Sequence, residues 1–142
     1  MNSPRLVLDA SVVLAALLTP NRRSASCLLV EAIGTGVVHL VVSAPVMAEY
    51  RRTVEEHAAG SRLEDPLGLV LDLGAAAERV EPTVVQVVKA DPSDDVYLGT
   101  AVAGQASYLA TFDRRHLLPQ DPWRGVRILT PGDVLRAIRD RY

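Results

Sequence analysis

The chain has 142 residues, 49% of them apolar and 23% charged, with a formal net charge of -2. That length suits a single domain spanning residues 1–142, with a genuine core, and is short for two. The charge predicts no strong general attraction to nucleic acid or anionic membrane, though local clusters could provide it, and the lone Cys27 excludes an internal disulfide or a multi-cysteine zinc site.

With one Phe and one Trp, the core must be mostly Val, Leu and Ala, which suits a parallel sheet covered by helices on both faces. Cys27, beside Leu28, Leu29 and Val30, reads as a buried small hydrophobe. The N-terminus lacks a basic segment followed by a long apolar run. No apolar stretch approaches the roughly 20 residues of a membrane span. A cytoplasmic protein with no membrane contact is expected.

Arg5-Leu6-Val7-Leu8-Asp9 reads as a first buried strand. Ala10 to Leu18 follows as a short helix, stopped at Thr19-Pro20-Asn21. Ser24 caps a second helix to about Ile33, closed by Gly34 and Gly36. Val37 to Val42 is a second strand, and Ser43, with Pro45 in the first turn, opens a longer helix to about His57. Ala58 to Asp65 is a loop, and Pro66 starts a helix through about Glu78, weakened by Gly68 and Gly74.

Val80-Glu81-Pro82 suits a short edge strand, since Pro82 cannot donate to a ladder. Val84 to Val88 is apolar and β-branched without a decided element type. Asp91-Pro92-Ser93 is turn chemistry before a helix to about Ala106. Tyr108 to Phe112 is a strand, Asp113-Arg114-Arg115 a turn, and Val126 to Leu129 a last strand before a C-terminal helix. Strands alternating with helices predict βαβ units and a parallel sheet.

In such sheets the ligand crevice lies beyond the carboxyl ends of the strands. Asp9, Glu49, Asp94 and Asp113 each fall near that edge. Taken singly they have ordinary readings. Asp9 reads equally as a helix N-cap, Glu49 as a solvated helix residue and Asp113 as a turn residue. Asp91, Asp94 and Asp95 read as acids favoured at a helix N-terminus, although three exceed what capping requires. Gathered together, carboxylates repel unless a cation or proton intervenes. Mg²⁺ and Mn²⁺ prefer such oxygen ligands, and a metal so held serves phosphate chemistry. His39, His57 and His116 share no spacing that suggests zinc. The pairs Arg22-Arg23, Arg51-Arg52 and Arg114-Arg115 read either as solvated charge or as a basic rim for phosphate oxygens.

Four segments together resemble the PIN domain, the metal-dependent ribonuclease fold of many bacterial toxins. They are Val7-Leu8-Asp9-Ala10-Ser11-Val12-Val13, Ser43-Ala44-Pro45-Val46-Met47-Ala48-Glu49, Asp91-Pro92-Ser93-Asp94-Asp95-Val96-Tyr97-Leu98 and Tyr108-Leu109-Ala110-Thr111-Phe112-Asp113. The resemblance covers nearly the whole chain. It implies a three-layer α/β/α sandwich with a mostly parallel sheet, and hydrolysis of RNA phosphodiester bonds with Mg²⁺ or Mn²⁺. Its acidic set falls on Asp9, Glu49, Asp94 and Asp113, with Ser11 and Thr111 as supporting polar residues and Asp91 as an outer ligand candidate. Asp95 competes with Asp94 for the third position. Leu98 and Ala101 continue the Asp94 face as an apolar stripe toward the sheet, which favours Asp94.

The resemblance further implies the toxin of a toxin–antitoxin pair, of the VapC-like kind, with a cognate antitoxin protein and a homodimer as partners beside the RNA. Three other readings compete with it. The same chemistry serves RNA processing or DNA cleavage in some relatives. An RNA-binding scaffold without catalysis is disfavoured by the retention of all four acids. A receiver-like signalling domain also gathers acids on Mg²⁺, but here Asp9 has no acidic neighbour and the only lysine is Lys89.

Overall fold

The computed structural model describes residues 3–57, 59, 61, 63–87 and 92–141. Five strands and six α-helices are formed among the described residues. They run in the order β1 (Arg5–Leu8), α1 (Ala10–Leu18), α2 (Ala25–Gly34), β2 (His39–Val42), α3 (Ala44–His57) and α4 (Pro66–Ala76), then β3 (Glu78–Arg79), α5 (Pro92–Ala103), β4 (Tyr108–Ala110), β5 (Arg127–Leu129) and α6 (Pro131–Arg141). A 3-10 turn covers Leu118–Gln120.

All strand pairs are parallel, in the order β3-β2-β1-β4-β5. β1 is therefore central, flanked by β2 and β4. Leu6, Val7 and Leu8 are fully buried, as are Leu40, Val41, Val42, Leu109 and Ala110, because a parallel sheet is covered on both faces. α1 packs on α2 and α3, α3 on α4, and α2 on α6, while α5 lies against β1, β2 and β4. This is the expected three-layer α/β/α sandwich.

Local chemistry sets most boundaries. Ser24 Oγ accepts the Cys27 N–H at 3.2 Å and caps α2, and Gly36 turns the chain out of that helix at φ +80°. Asp65 Oδ1 accepts the Gly68 N–H at 3.0 Å ahead of Pro66, so Gly68 belongs to the helix start. Ser43 Oγ receives the Val46 N–H at 3.4 Å and joins Thr100 Oγ1 at 2.8 Å, which ties the start of α3 to α5.

Two expectations are corrected. The edge strand is Glu78–Arg79, earlier than Val80-Glu81-Pro82, since Glu78 and Arg79 pair with Val41 and Val42 and β2 ends there. Val80 still gives its N–H to the Val42 carbonyl at 2.8 Å, and the chain then leaves the sheet. Cys27 is only partly buried; its thiol faces the Ala16 carbonyl at 3.5 Å beside a hollow lined by Arg22, Val30, Glu31 and Leu63. Val84 to Val87 forms no regular element, and Val84 is 91% exposed. Ala58, Gly60 and Arg62 of the expected loop, and Val88 to Asp91, lie outside the described residues.

Past β3 the chain is clipped onto α5 at two points one helical turn apart. The Thr83 N–H donates to the Gly99 carbonyl at 3.0 Å, and the Val87 N–H donates to Asp95 Oδ1 at 3.1 Å. A Cβ at Gly99 would sit 2.1 Å from the Thr83 carbonyl oxygen, so glycine alone admits this approach. No helix among the described residues is long and apolar enough to cross a membrane.

Candidate metal centre

β1 and β4 run side by side, with Leu8 opposite Ala110. Asp9 and Thr111, the next residues along, therefore emerge together at the carboxyl edge of the sheet. Asp9 adopts an extended backbone before α1, yet its side chain makes no capping bond to that helix. Its Oδ2 accepts instead from Thr111 Oγ1 at 2.6 Å and Ser11 Oγ at 2.9 Å.

The backbone around Asp9 is held by two tyrosines. Tyr50 donates its hydroxyl to the Leu8 carbonyl at 2.6 Å, and Tyr97 Oη accepts the Ala10 N–H at 3.1 Å. Burial raises the pKa of both tyrosines, and the nearby Asp9 charge adds to it. Asp9 is only 8% exposed. Burial pushes its carboxyl pKa up, the Thr111 and Ser11 hydrogen bonds oppose that, and the Asp113 charge adds the smallest increment.

Thr111 is buried and also receives the Asp113 N–H at 2.9 Å. Asp113 Oδ1 in turn accepts the Arg115 and His116 N–H groups, both at 3.1 Å. Asp113 is thus a turn residue, as its sequence context suggests, and the turn aims its other oxygen. That oxygen, Oδ2, lies 3.6 Å from His116 Nδ1, and Asp94 Oδ2 lies 3.4 Å from the same nitrogen. One ligand atom from each of Asp94, Asp113 and His116 falls within 4.8 Å of the others.

The adjacent acids in the first turn of α5 part company here. Asp94 joins this group, while Asp95 accepts the Val87 N–H. Both are about one-tenth exposed, so burial does not distinguish them; direction does. Asp91 lies outside the described residues.

Glu49 is not part of the group formed by Asp94, Asp113 and His116. It sits half-buried on α3 and is gripped by Arg52, which also reaches Glu56 at 3.3 Å. Its charge extends toward the site, being the least of the influences that raise the Tyr97 pKa. Arg51, Arg114 and Arg115 are exposed, the last two directly after Asp113. Arg22 and Arg23 border a hollow with Leu28 and Glu31, and none of the four acids lines it among the described residues.

His116 joins this group although the sequence reading does not place it in the acidic set. Its signal was the spacing Asp113-x-x-His116, which one turn of chain converts into side-chain proximity. The two carboxylates and the imidazole are oxygen and nitrogen donors of the kind divalent cations take. This donor set fits a metal ion.

A family model described as PIN domain matches residues 5–115. No curated protein matches the chain. Among solved structures, one described as the crystal structure of PAE2754 from Pyrobaculum aerophilum aligns with a TM-score of 0.63. It covers 98% of this chain and 91% of that one, at 14% identity. At that identity the likeness concerns the fold alone.

Proposed function

The chain belongs to the PIN domain family, and from that premise we propose that it is a metal-dependent endoribonuclease acting as the toxin of a toxin–antitoxin pair. The observation that carries the nuclease chemistry is the convergence of Asp94, Asp113 and His116 beside an Asp9 joined to Asp113 through Thr111. PIN domains are nucleases as a class. RNA as substrate, Mg²⁺ or Mn²⁺ as cofactor and the toxin role rest on the four motif segments around Asp9, Glu49, Asp94 and Asp113.

In this reading Asp94 and Asp113 hold the cation, with Asp9 and Glu49 completing the acidic wall. A bound divalent ion supplies charge neutralisation at the phosphoryl oxygens and acidifies the attacking water. Thr111 and Ser11 fix the orientation of the Asp9 carboxylate. Held at the carboxyl edge by those two hydroxyls, Asp9 faces the same side of the site as Asp113, to which Thr111 joins it. Arg114 and Arg115 stand exposed beside the site, where guanidinium groups bind phosphate oxygens without reading bases.

The partners proposed are an RNA substrate, a cognate antitoxin and a second copy of the chain. The purified protein should cleave single-stranded RNA in Mg²⁺ or Mn²⁺ and stop with EDTA. Its induction should arrest cell growth, and co-expression of the small DNA-binding product of an adjacent gene should relieve the arrest. Cleavage of RNA without growth arrest would leave the nuclease and remove the toxin role. Preferential cleavage of DNA would replace the substrate.

A further inference from the structure

We infer that His116 is a metal ligand, so that the site selects Mn²⁺ and the later first-row ions over Mg²⁺. The inference rests on the reading of the acidic group as a cation site and adds to it a nitrogen donor that the acidic motif lacks.

The distances carry the argument. His116 Nδ1 stands 3.4 Å from Asp94 Oδ2 and 3.6 Å from Asp113 Oδ2. A charge-assisted N–H···O bond to either carboxylate would be about 2.7–2.9 Å. At those lengths the ring makes a loose ion pair with each carboxylate when protonated, and its nitrogen stands nearly equidistant from the two oxygens, as a third donor to a shared cation would. Donor atoms bound to one cation at about 2.0–2.2 Å are roughly 3–3.5 Å apart, depending on the coordination angle. The observed spacings fall close to that range.

The ring is held where this requires. The His116 N–H is taken by Asp113 Oδ1 at 3.1 Å, so one carboxylate anchors the histidine backbone while its second oxygen faces the ring. The side chain is 30% exposed, which leaves a path for an ion to enter. Imidazole suits transition ions, while Mg²⁺ keeps to oxygen ligands and water.

The test compares the full chain with His116→Ala and His116→Asn. Mn²⁺ and Mg²⁺ affinities are measured by calorimetry, and electron spin echo modulation is recorded on the Mn²⁺-loaded proteins. The parent should bind Mn²⁺ more tightly than Mg²⁺ and show nitrogen modulation. His116→Ala should weaken Mn²⁺ on the order of tenfold, leave Mg²⁺ nearly unchanged and lose the nitrogen signal. His116→Asn, which keeps a polar side chain on the turn, should behave the same way. An unchanged Mn²⁺ to Mg²⁺ ratio and no nitrogen modulation in a parent that binds both ions would overturn the inference and leave the acidic site standing. A parent that binds neither ion would overturn the metal site itself, and His116 with it.

Discussion

Thr111 Oγ1 donates to Asp9 Oδ2 at 2.6 Å while accepting the Asp113 N–H at 2.9 Å. One buried hydroxyl therefore sets the relative positions of two acids supplied by neighbouring strands. Thr111→Val keeps the shape and removes both bonds. We expect a loss of about 1–3 kcal/mol in stability, because buried polar groups lose a partner. Cleavage should fall roughly 10–100-fold, the scale seen when groups that orient metal ligands are removed. Thr111→Ser should recover most of both. Urea melts and single-turnover cleavage report the two effects, and a fully active Thr111→Val protein would show the hydroxyl to be dispensable.

Asp94 and Asp95 should differ in kind. Asp94→Asn is expected to abolish the rise in melting temperature that Mn²⁺ gives by binding the folded state, and to reduce cleavage by at least about 100-fold. Asp95→Ala should keep the metal response and cost about 1 kcal/mol, through loss of the Val87 N–H bond. The reverse outcome would reassign the third acid to Asp95.

The pH dependence of the metal-free protein should report Asp9. Burial raises its folded-state pKa above the ordinary 3.8, so the protonated form favours folding. That contribution is fully present below the ordinary value and is lost as pH rises through the raised one. At neutral pH without metal, Asp9→Asn should therefore melt a few degrees above the parent, and the gap should close as the solution is acidified. Saturating Mn²⁺ should reverse the order, since only the parent keeps the full negative charge of the acidic wall beside the cation. A gap that widens in acid would contradict the raised pKa.

Arg114 and Arg115 should act on the phosphate backbone alone. Replacing both with Ala should weaken binding to unrelated RNA sequences alike and lower the salt slope by about 1–2. Metal affinity should not move, since guanidinium groups are not ligands. Unchanged RNA affinity in a fluorescence titration would return the pair to ordinary solvated charge. The Arg22-Arg23 pair is a weaker choice, because it borders a different hollow.

Legibility from sequence followed the physics of each element. β1 and α1 were readable because Leu6, Val7 and Leu8 are apolar on both faces of the sheet and Thr19-Pro20 stops the helix. Glu78–Arg79 was not, because both residues of that edge strand are exposed and no alternation marks it; its place is set by pairing with Val41 and Val42. Asp94 and Asp113, which the fold brings together, stand at a helix start and just past a strand end, where the sequence marks them, while Glu49 lies outside that group. His116 is not marked in this way, because it shares no spacing with His39 or His57; its neighbours in space are the carboxylates of Asp113 and Asp94. Asp94 and Asp95 separate in space because the segment ending at Val87 crosses α5 and takes Asp95, a tertiary contact that no local pattern announces.

Leu8 pairs with Ala110, and Asp9 with Thr111, a bond that spans 102 positions of sequence. A growing polypeptide carries Asp9 long before β4, with Ser11 in reach of its carboxylate but no Thr111 hydroxyl until β4 is inserted beside β1. Strand insertion over such a separation is entropically slow, so the Asp9–Thr111 bond forms late. Chains interrupted before Tyr108 would carry Asp9 without Thr111, Asp113 or His116. The order of elements along the chain therefore makes this edge of the sheet one of the last parts of the molecule to be completed.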